Sequence, residues 1–198
     1  MAHDKASTTA RILEAAYALF YRQGFNRTDM DDVAAAAGVS KRTLYVHFDS
    51  KDRLLAEALA AHEPLAETLI ATWADALETD LPDGVTRLFD DLAAWSRSPG
   101  WVGSGYTRLA LELADLPGHP AREIARRHKA LVAARIAEAL ARGGARDPEA
   151  LAAQIQLLIE GANAMSVLHG TDIYCRVAGA AARRFVEDEL LPAREALP

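Results

Sequence analysis

Cysteine is almost absent from this chain of 198 residues, Cys175 being the only one. That excludes an intrachain disulfide and makes a reducing compartment, the cytoplasm, the expected setting. Aromatic residues are also few, at 7%. Excess positive charge is missing: 22 Lys and Arg against 28 Asp and Glu leave a net charge of −6. A protein that coats nucleic acid at random is basic overall, so any DNA contact here has to come from a local patch. The most apolar window, Leu151 to Leu168, is interrupted by Gln154, Gln156, Glu160 and Asn163. No membrane span is therefore expected. The N-terminal residues carry no apolar h-region, so a secretory signal is not expected either. HExxH, CxxC and Gly-x-Ser-x-Gly patterns are all missing. No metal site, cofactor or catalytic residue is expected, and an enzyme has no support.

What is present is length, apolar content and helical periodicity. Hydrophobic residues make up 51% of the chain, enough for one or two small domains with real cores. No segment alternates as a strand, and an all-helical chain is expected. Charge is unevenly placed. Residues 1–53 hold eight basic and seven acidic side chains, a net of +1, while the remainder holds fourteen basic and twenty-one acidic, a net of −7.

The first fifty-odd residues carry the clearest pattern. A helix is expected from about Ser7 to Gln23, with Ile12, Leu13, Ala16, Leu19 and Phe20 as its buried stripe. Gly24 suits a left-handed terminating position and Phe25 a fold-back onto the last turn. Thr28 is the expected N-cap of a second helix, with Asp31 three residues on. Gly38 ends that helix, and Ser40 caps a third after a very short turn. In the third helix Leu44 and Phe48, four apart, point to a small core. Arg42, Tyr45 and Val46 take the opposite face, flanked by Lys41 and Thr43. Ser50 caps a fourth helix. These are the spacings of a helix-turn-helix, which sets one short helix in the DNA major groove. Such a helix needs small or basic residues near its N-terminus and phosphate contacts to hold its register. Lys41, Arg42 and Thr43 supply the first turn, and Arg42 is the choice for bidentate contact with guanine. Tyr45 and His47 reach the backbone, and Lys51 adds a cation where helix N–H groups favour phosphate.

Further along, His62-Glu63-Pro64 is expected to break the fourth helix. Leu81-Pro82-Asp83-Gly84 is expected to separate the next two. Val102, Tyr106, Leu109, Leu113 and Leu116 line a helix up to Pro117-Gly118. A long helix holding Ile124, His128 and Leu140 stops at Gly143-Gly144. Two helices follow, Pro148 to about His169 and Tyr174 to about Leu191.

Three runs resemble the TetR family of transcriptional regulators. They are Thr9-x-Arg11-Ile12-Leu13-x-Ala15-Ala16-x-x-Leu19-Phe20, then Gly24-Phe25-x-x-Thr28 with Val33-Ala34-x-x-Ala37-Gly38-Val39-Ser40, and Thr43-Leu44-Tyr45-x-His47-Phe48-x-Ser50-Lys51-x-x-Leu54. The resemblance covers about residues 7–55. It implies an all-α homodimer: an N-terminal three-helix DNA-binding domain over residues 1–53 and a helical effector-binding and dimerisation domain over 54–198. It implies a palindromic double-stranded operator, released when a small-molecule effector binds. Thr43, Tyr45, His47 and Lys51 are its expected DNA contacts, with Thr28 and Ser40 as caps that also touch phosphate. Asp29 stands where the family usually has Ser or Thr, and an acid there repels phosphate.

Effector-binding candidates are Trp95, Trp101, Tyr106, His128, Gln156 and Asn163. They combine apolar lining with a few polar groups, although ordinary packing is the favoured account of any single aromatic among them and an equal or better one of each polar residue. The small-residue runs Gly161–Ala164 and Ala178–Ala182 suit close helix contacts, read here as dimerisation, with packing inside the subunit as the alternative. Two other readings stay open. One is a helix-turn-helix protein without an effector; the other is a helical small-molecule-binding protein with vestigial DNA binding.

Overall fold

The computed structural model describes residues 2–77 and 80–190, and their side chains except those of residues 2–5, 69 and 76. The described residues form helices and connecting turns, with no strand among them. In order these are α1 (Ala2–Gln23), α2 (Met30–Ala36), α3 (Lys41–His47), α4 (Lys51–Ala76), α5 (Leu81–Ser96), α6 (Gly105–Glu112), α7 (Pro120–Arg142), α8 (Pro148–His169) and α9 (Ile173–Leu190). This is the expected all-α class. Leu191, the expected end of the last helix, lies outside the described residues.

The chain divides into two compact units, Met1–Glu67 with Ser104–Lys129, and Thr68–Gly103 with Ala130–Pro198. The first has its own core, built on Ile12, Phe20, Val33, Leu44, Phe48, Leu54 and Leu55 together with Leu109 and Leu113. Burying side chains of this size contributes roughly 1.5–3 kcal/mol each before entropy costs. The core of the second unit joins Leu88, Phe89 and Leu92 of α5 to Ile155 and Ile159 of α8 and Ala178, Ala182 and Val186 of α9.

Local signals explain most helix ends. Gly24 takes φ +92° after α1, and Phe25 returns to Phe20 with ring centroids 5.8 Å apart. Gly38 takes φ +64° after α2. Ser40 Oγ accepts the Thr43 N–H at 3.0 Å, and Ser50 Oγ accepts the Arg53 N–H at 3.2 Å.

Several expectations are corrected. Helix α1 begins at Ala2, ahead of Ser7. Thr28 does not cap α2. Its side chain is fully buried and its hydroxyl donates to the Gly24 carbonyl at 2.7 Å. Asp29 takes the N-cap position, in a capping box with Asp32 rather than Asp31. Pro64 does not break α4, which runs through it. A proline inside a helix costs about 3 kcal/mol, and the burial of Leu54, Leu55, Ala58 and Leu59 before it and of Ile70 and Ala74 after it offsets that. Pro82 does not end a helix but lies in the first turn of α5, where its missing N–H is no loss. Asp80 caps that turn, accepting the Asp83 N–H at 2.9 Å. Helix α6 is shorter than expected, so Val102, Leu113 and Leu116 lie outside it.

Among the described residues, α8 is long and apolar enough by length and composition to cross a membrane. The polar residues that argued against a span do not exclude it on that test. Its Leu151, Ile155 and Ile159 belong to the core of the second unit.

Candidate nucleic-acid interface

Helix α3 presents the face the sequence predicts. Leu44 and Phe48 are buried, while Tyr45 is 45% and Val46 70% exposed. Ser40, Lys41 and Arg42 are exposed, and Thr43 and His47 are half-buried. The cap carries a second contact, Ser40 Oγ to Thr43 Oγ1 at 2.8 Å. Lys41 reaches back to Asp31 of α2, 2.9 Å from one carboxylate oxygen and 3.0 Å from the other. The hydrogen bond and charge of Asp31 hold the ammonium above its ordinary pKa, and Lys41 is cationic at any physiological pH. His47 Nδ1 lies 2.9 Å from the Thr9 hydroxyl, which sets the ring beside α1.

Two predicted contacts have other roles. Thr28 has no exposed side-chain surface to offer a phosphate and is removed from the candidate contacts. Lys51 donates to the Phe25 carbonyl at 3.0 Å and the Thr28 carbonyl at 3.1 Å. Its ammonium also lies 4.3 Å from the centroid of the Phe25 ring. It therefore holds the α1–α2 turn whether or not it also meets DNA.

The structure adds residues that sequence reasoning missed. Arg11 donates to the Ala37 carbonyl at 2.8 Å and the Gly38 carbonyl at 3.2 Å. A cation at the C-terminus of α2 also meets the negative end of its dipole. From α6, Arg108 donates to the Tyr21 carbonyl at 2.9 Å. Glu112 accepts the Phe25 N–H at 2.7 Å and the Asn26 N–H at 3.2 Å. These two side chains close the end of α1 and the turn after it. No local signal marks them, because their partners lie 86 or 87 residues away in sequence.

The six effector candidates fall in both compact units. Tyr106 and His128 belong to the first unit, and Trp95, Trp101, Gln156 and Asn163 to the second. Tyr106 is buried and stacks on His128, with centroids 3.9 Å apart. Burial pushes its phenol well above the ordinary tyrosine range. Trp95 meets Trp101 edge-on at 5.9 Å. Trp101 Nε1 and Asn163 Oδ1 are buried without a hydrogen-bond partner. Gly103 brings the Trp101 loop against α8, since a Cβ on it would stand 3.0 Å from Val167 Cγ2 and 3.8 Å from the Asn163 carbonyl. Among the described residues no group of three or more His, Cys, Asp or Glu is placed to hold a metal ion.

The small-residue runs separate. A Cβ on Gly179 would lie 2.7 Å from Phe89 Cβ, so the α9 run serves the packing of α9 on α5 inside the unit. Gly161 has open space before it. Leu157, Gly161, Ala164, Met165 and Leu168 make an exposed stripe on α8.

An exposed, basic-led reading helix braced by caps is what regulators that bind DNA through a helix-turn-helix present. Residues 12–58 match the family model for bacterial regulatory proteins of the tetR family. The chain is 42% identical over 61 residues to the transcriptional regulator TtgR of Pseudomonas putida, covering 30% of this chain and 29% of TtgR. It is 32% identical over 128 residues to the transcriptional repressor SCO4008 of Streptomyces coelicolor, covering 63% of this chain and 65% of that one. These matches span less than two thirds of either relative's length. The crystal structure of the TetR transcriptional regulator sav143 of Streptomyces avermitilis superposes with a TM-score of 0.76 at 30% identity, over 93% of this chain and 99% of that chain. The chain belongs to the TetR family of regulatory proteins.

Proposed function

We propose that this protein is a cytoplasmic transcriptional repressor that binds a palindromic operator as a homodimer and leaves it when a small-molecule effector binds. Residues 1–53 are the DNA-binding domain and 54–198 the effector-binding and dimerisation domain. The single observation that carries the reading is α3: Arg42, Tyr45 and Val46 stand exposed on one face while Leu44 and Phe48 anchor the other. Ser40, Lys41, Thr43 and His47 complete the contact set, and Lys51 braces it. SCO4008, by its name, is a repressor, which supports the direction of regulation.

A palindrome needs two copies of α3 about 34 Å apart. The exposed stripe of α8, with Leu157 and Leu168 each 73% exposed, is the surface a second copy would cover, together with Ile173 and Val177 of α9. For the effector, Trp101 Nε1 offers a donor and Asn163 Oδ1 an acceptor in the second unit, both without a partner. Buried polar atoms of this kind are rarely left unsatisfied. Effector binding then favours a spacing of the two reading helices that no longer matches successive grooves, and a few kcal/mol of differential affinity suffices.

The test is operator affinity of Tyr45→Phe and Arg42→Ala, with the fold checked by circular dichroism. Both are expected to keep the fold and bind the operator more weakly. Unchanged affinity in both variants overturns α3 as the reading helix.

A further inference from the structure

Between α6 and α7, within the first unit, lies an open groove of about 620 Å³. That volume is in the range of small-molecule sites. Its α6 wall is mainly apolar, formed by Tyr106, Ala110 and Leu111 with Thr107. Leu111 is 69% exposed, a large aliphatic side chain at the mouth of a groove. The α7 side is different. Arg122, Arg126 and Lys129 line it against the single carboxylate of Glu123. Glu123 already holds Arg126 in a bidentate pair, at 2.9 and 2.6 Å. Arg122 makes only a 3.3 Å bond to the Ala114 carbonyl, and Lys129 donates to the Ser104 hydroxyl at 2.9 Å. Arg122 and Arg126 against that one acid leave net positive charge beside the α6 wall.

We infer that this groove binds an amphipathic carboxylate, its hydrocarbon body on Tyr106, Ala110 and Leu111 and its carboxylate on Arg122 and Lys129. The guanidinium of Arg122 offers the paired donors that a carboxylate accepts. Such a ligand bears on the DNA-binding helices through one short element. Helix α6 is eight residues long. Its groove residues Tyr106, Ala110 and Leu111 alternate with Arg108 and Glu112, which hold the end of α1 and the α1–α2 turn. A ligand that shifts α6 therefore acts directly on the clamp over the helix-turn-helix. This coupling rests on the operator reading above; the binding itself does not.

Calorimetric titration of the full-length protein with sodium decanoate, decan-1-ol and decylammonium, each below its aggregation concentration, separates the two. Decanoate is expected to bind, with decanol at least tenfold weaker and decylammonium not binding. Arg122→Gln is expected to weaken decanoate severalfold. Glu123→Gln is expected to tighten it, because it releases Arg126, and a merely structural role for Glu123 does not produce a gain. Absence of decanoate binding, equal binding of decanol, or unchanged affinity in both variants overturns the site. Operator titrations with and without decanoate then test the coupling. Decanoate binding with an undisturbed operator complex overturns the coupling alone. Decanoate binding by a protein that has no operator leaves the groove standing and removes the regulator reading.

Discussion

The carboxylate of Glu112 occupies the space that a side chain on Gly24 would need. From there it accepts the Phe25 N–H at 2.7 Å. Gly24 also has φ +92°, a conformation that costs an L residue roughly 1–2 kcal/mol. Gly24→Ala thus adds backbone strain and expels the acceptor of a hydrogen bond worth about 1 kcal/mol. Urea unfolding is expected to show a loss of about 2–3 kcal/mol. A variant as stable as the parent would show that Glu112 does not hold the turn.

Lys51 separates stability from DNA contact. It bonds the Phe25 and Thr28 carbonyls, so Lys51→Met leaves two acceptors without their cation. Its expected cost is about 1–3 kcal/mol of folding stability, measured with no DNA present. Tyr45→Phe, on the exposed face of α3, is expected to leave stability unchanged and weaken operator binding. Arg42→Ala is expected to relax preference at one base position by about 1–3 kcal/mol. A Lys51→Met protein of parental stability would return Lys51 to the role of a phosphate contact alone.

Much of the first unit was legible from sequence because its signals are local. Gly24, Gly38, Ser40 and Ser50 each act within a few residues, and each does in the structure what its chemistry predicts. Thr28 and Asp29 show how near-equivalent caps are confused: both can cap, and burial of Thr28 against the Gly24 carbonyl decides for Asp29. Pro64 and Pro82 both look like helix breaks in the sequence. One is tolerated inside α4 by the packing around it, and the other starts α5 at the position where proline belongs. Neither outcome is encoded within a short window. The same holds for Arg108 and Glu112, whose roles depend on partners brought from far along the chain. The effector candidates rest on residue type alone, and residue type does not say in which unit each one falls.

His62 sets a pH dependence of stability. Its ring stacks on Tyr17 with centroids 3.6 Å apart, and burial lowers its pKa from 6.5. Tyr17 is itself pushed up to about 12 by burial and stays neutral throughout. The unfolded chain takes up the imidazole proton more readily than the folded one. Stability is therefore full above pH 6.5, and it falls as the pH drops through 6.5 towards the lowered folded-state value. His62→Phe is expected to flatten that fall, seen by comparing denaturant midpoints at about pH 7 and about pH 5. An identical pH profile in the variant would assign the fall to other groups.

The α8 stripe is expected to hold two copies together. Leu157→Glu, at a residue 73% exposed, leaves the core of the second unit intact and places charge in the middle of the stripe. Sedimentation is expected to show a dimer for the parent and a folded monomer for the variant, with operator affinity falling accordingly. A variant that remains dimeric would move the interface off this face.

The most direct test of the central claim is selection of binding sites from random duplex DNA with the full-length protein at a stated salt concentration. The predicted result is an enriched palindrome whose half-site centres lie about one helical turn, or a multiple of it, apart, with enrichment lost in Arg42→Ala at one position of each half-site. Absence of enrichment, or an enriched site with no two-fold symmetry, would contradict the reading of α3 as the paired recognition helix of a repressor.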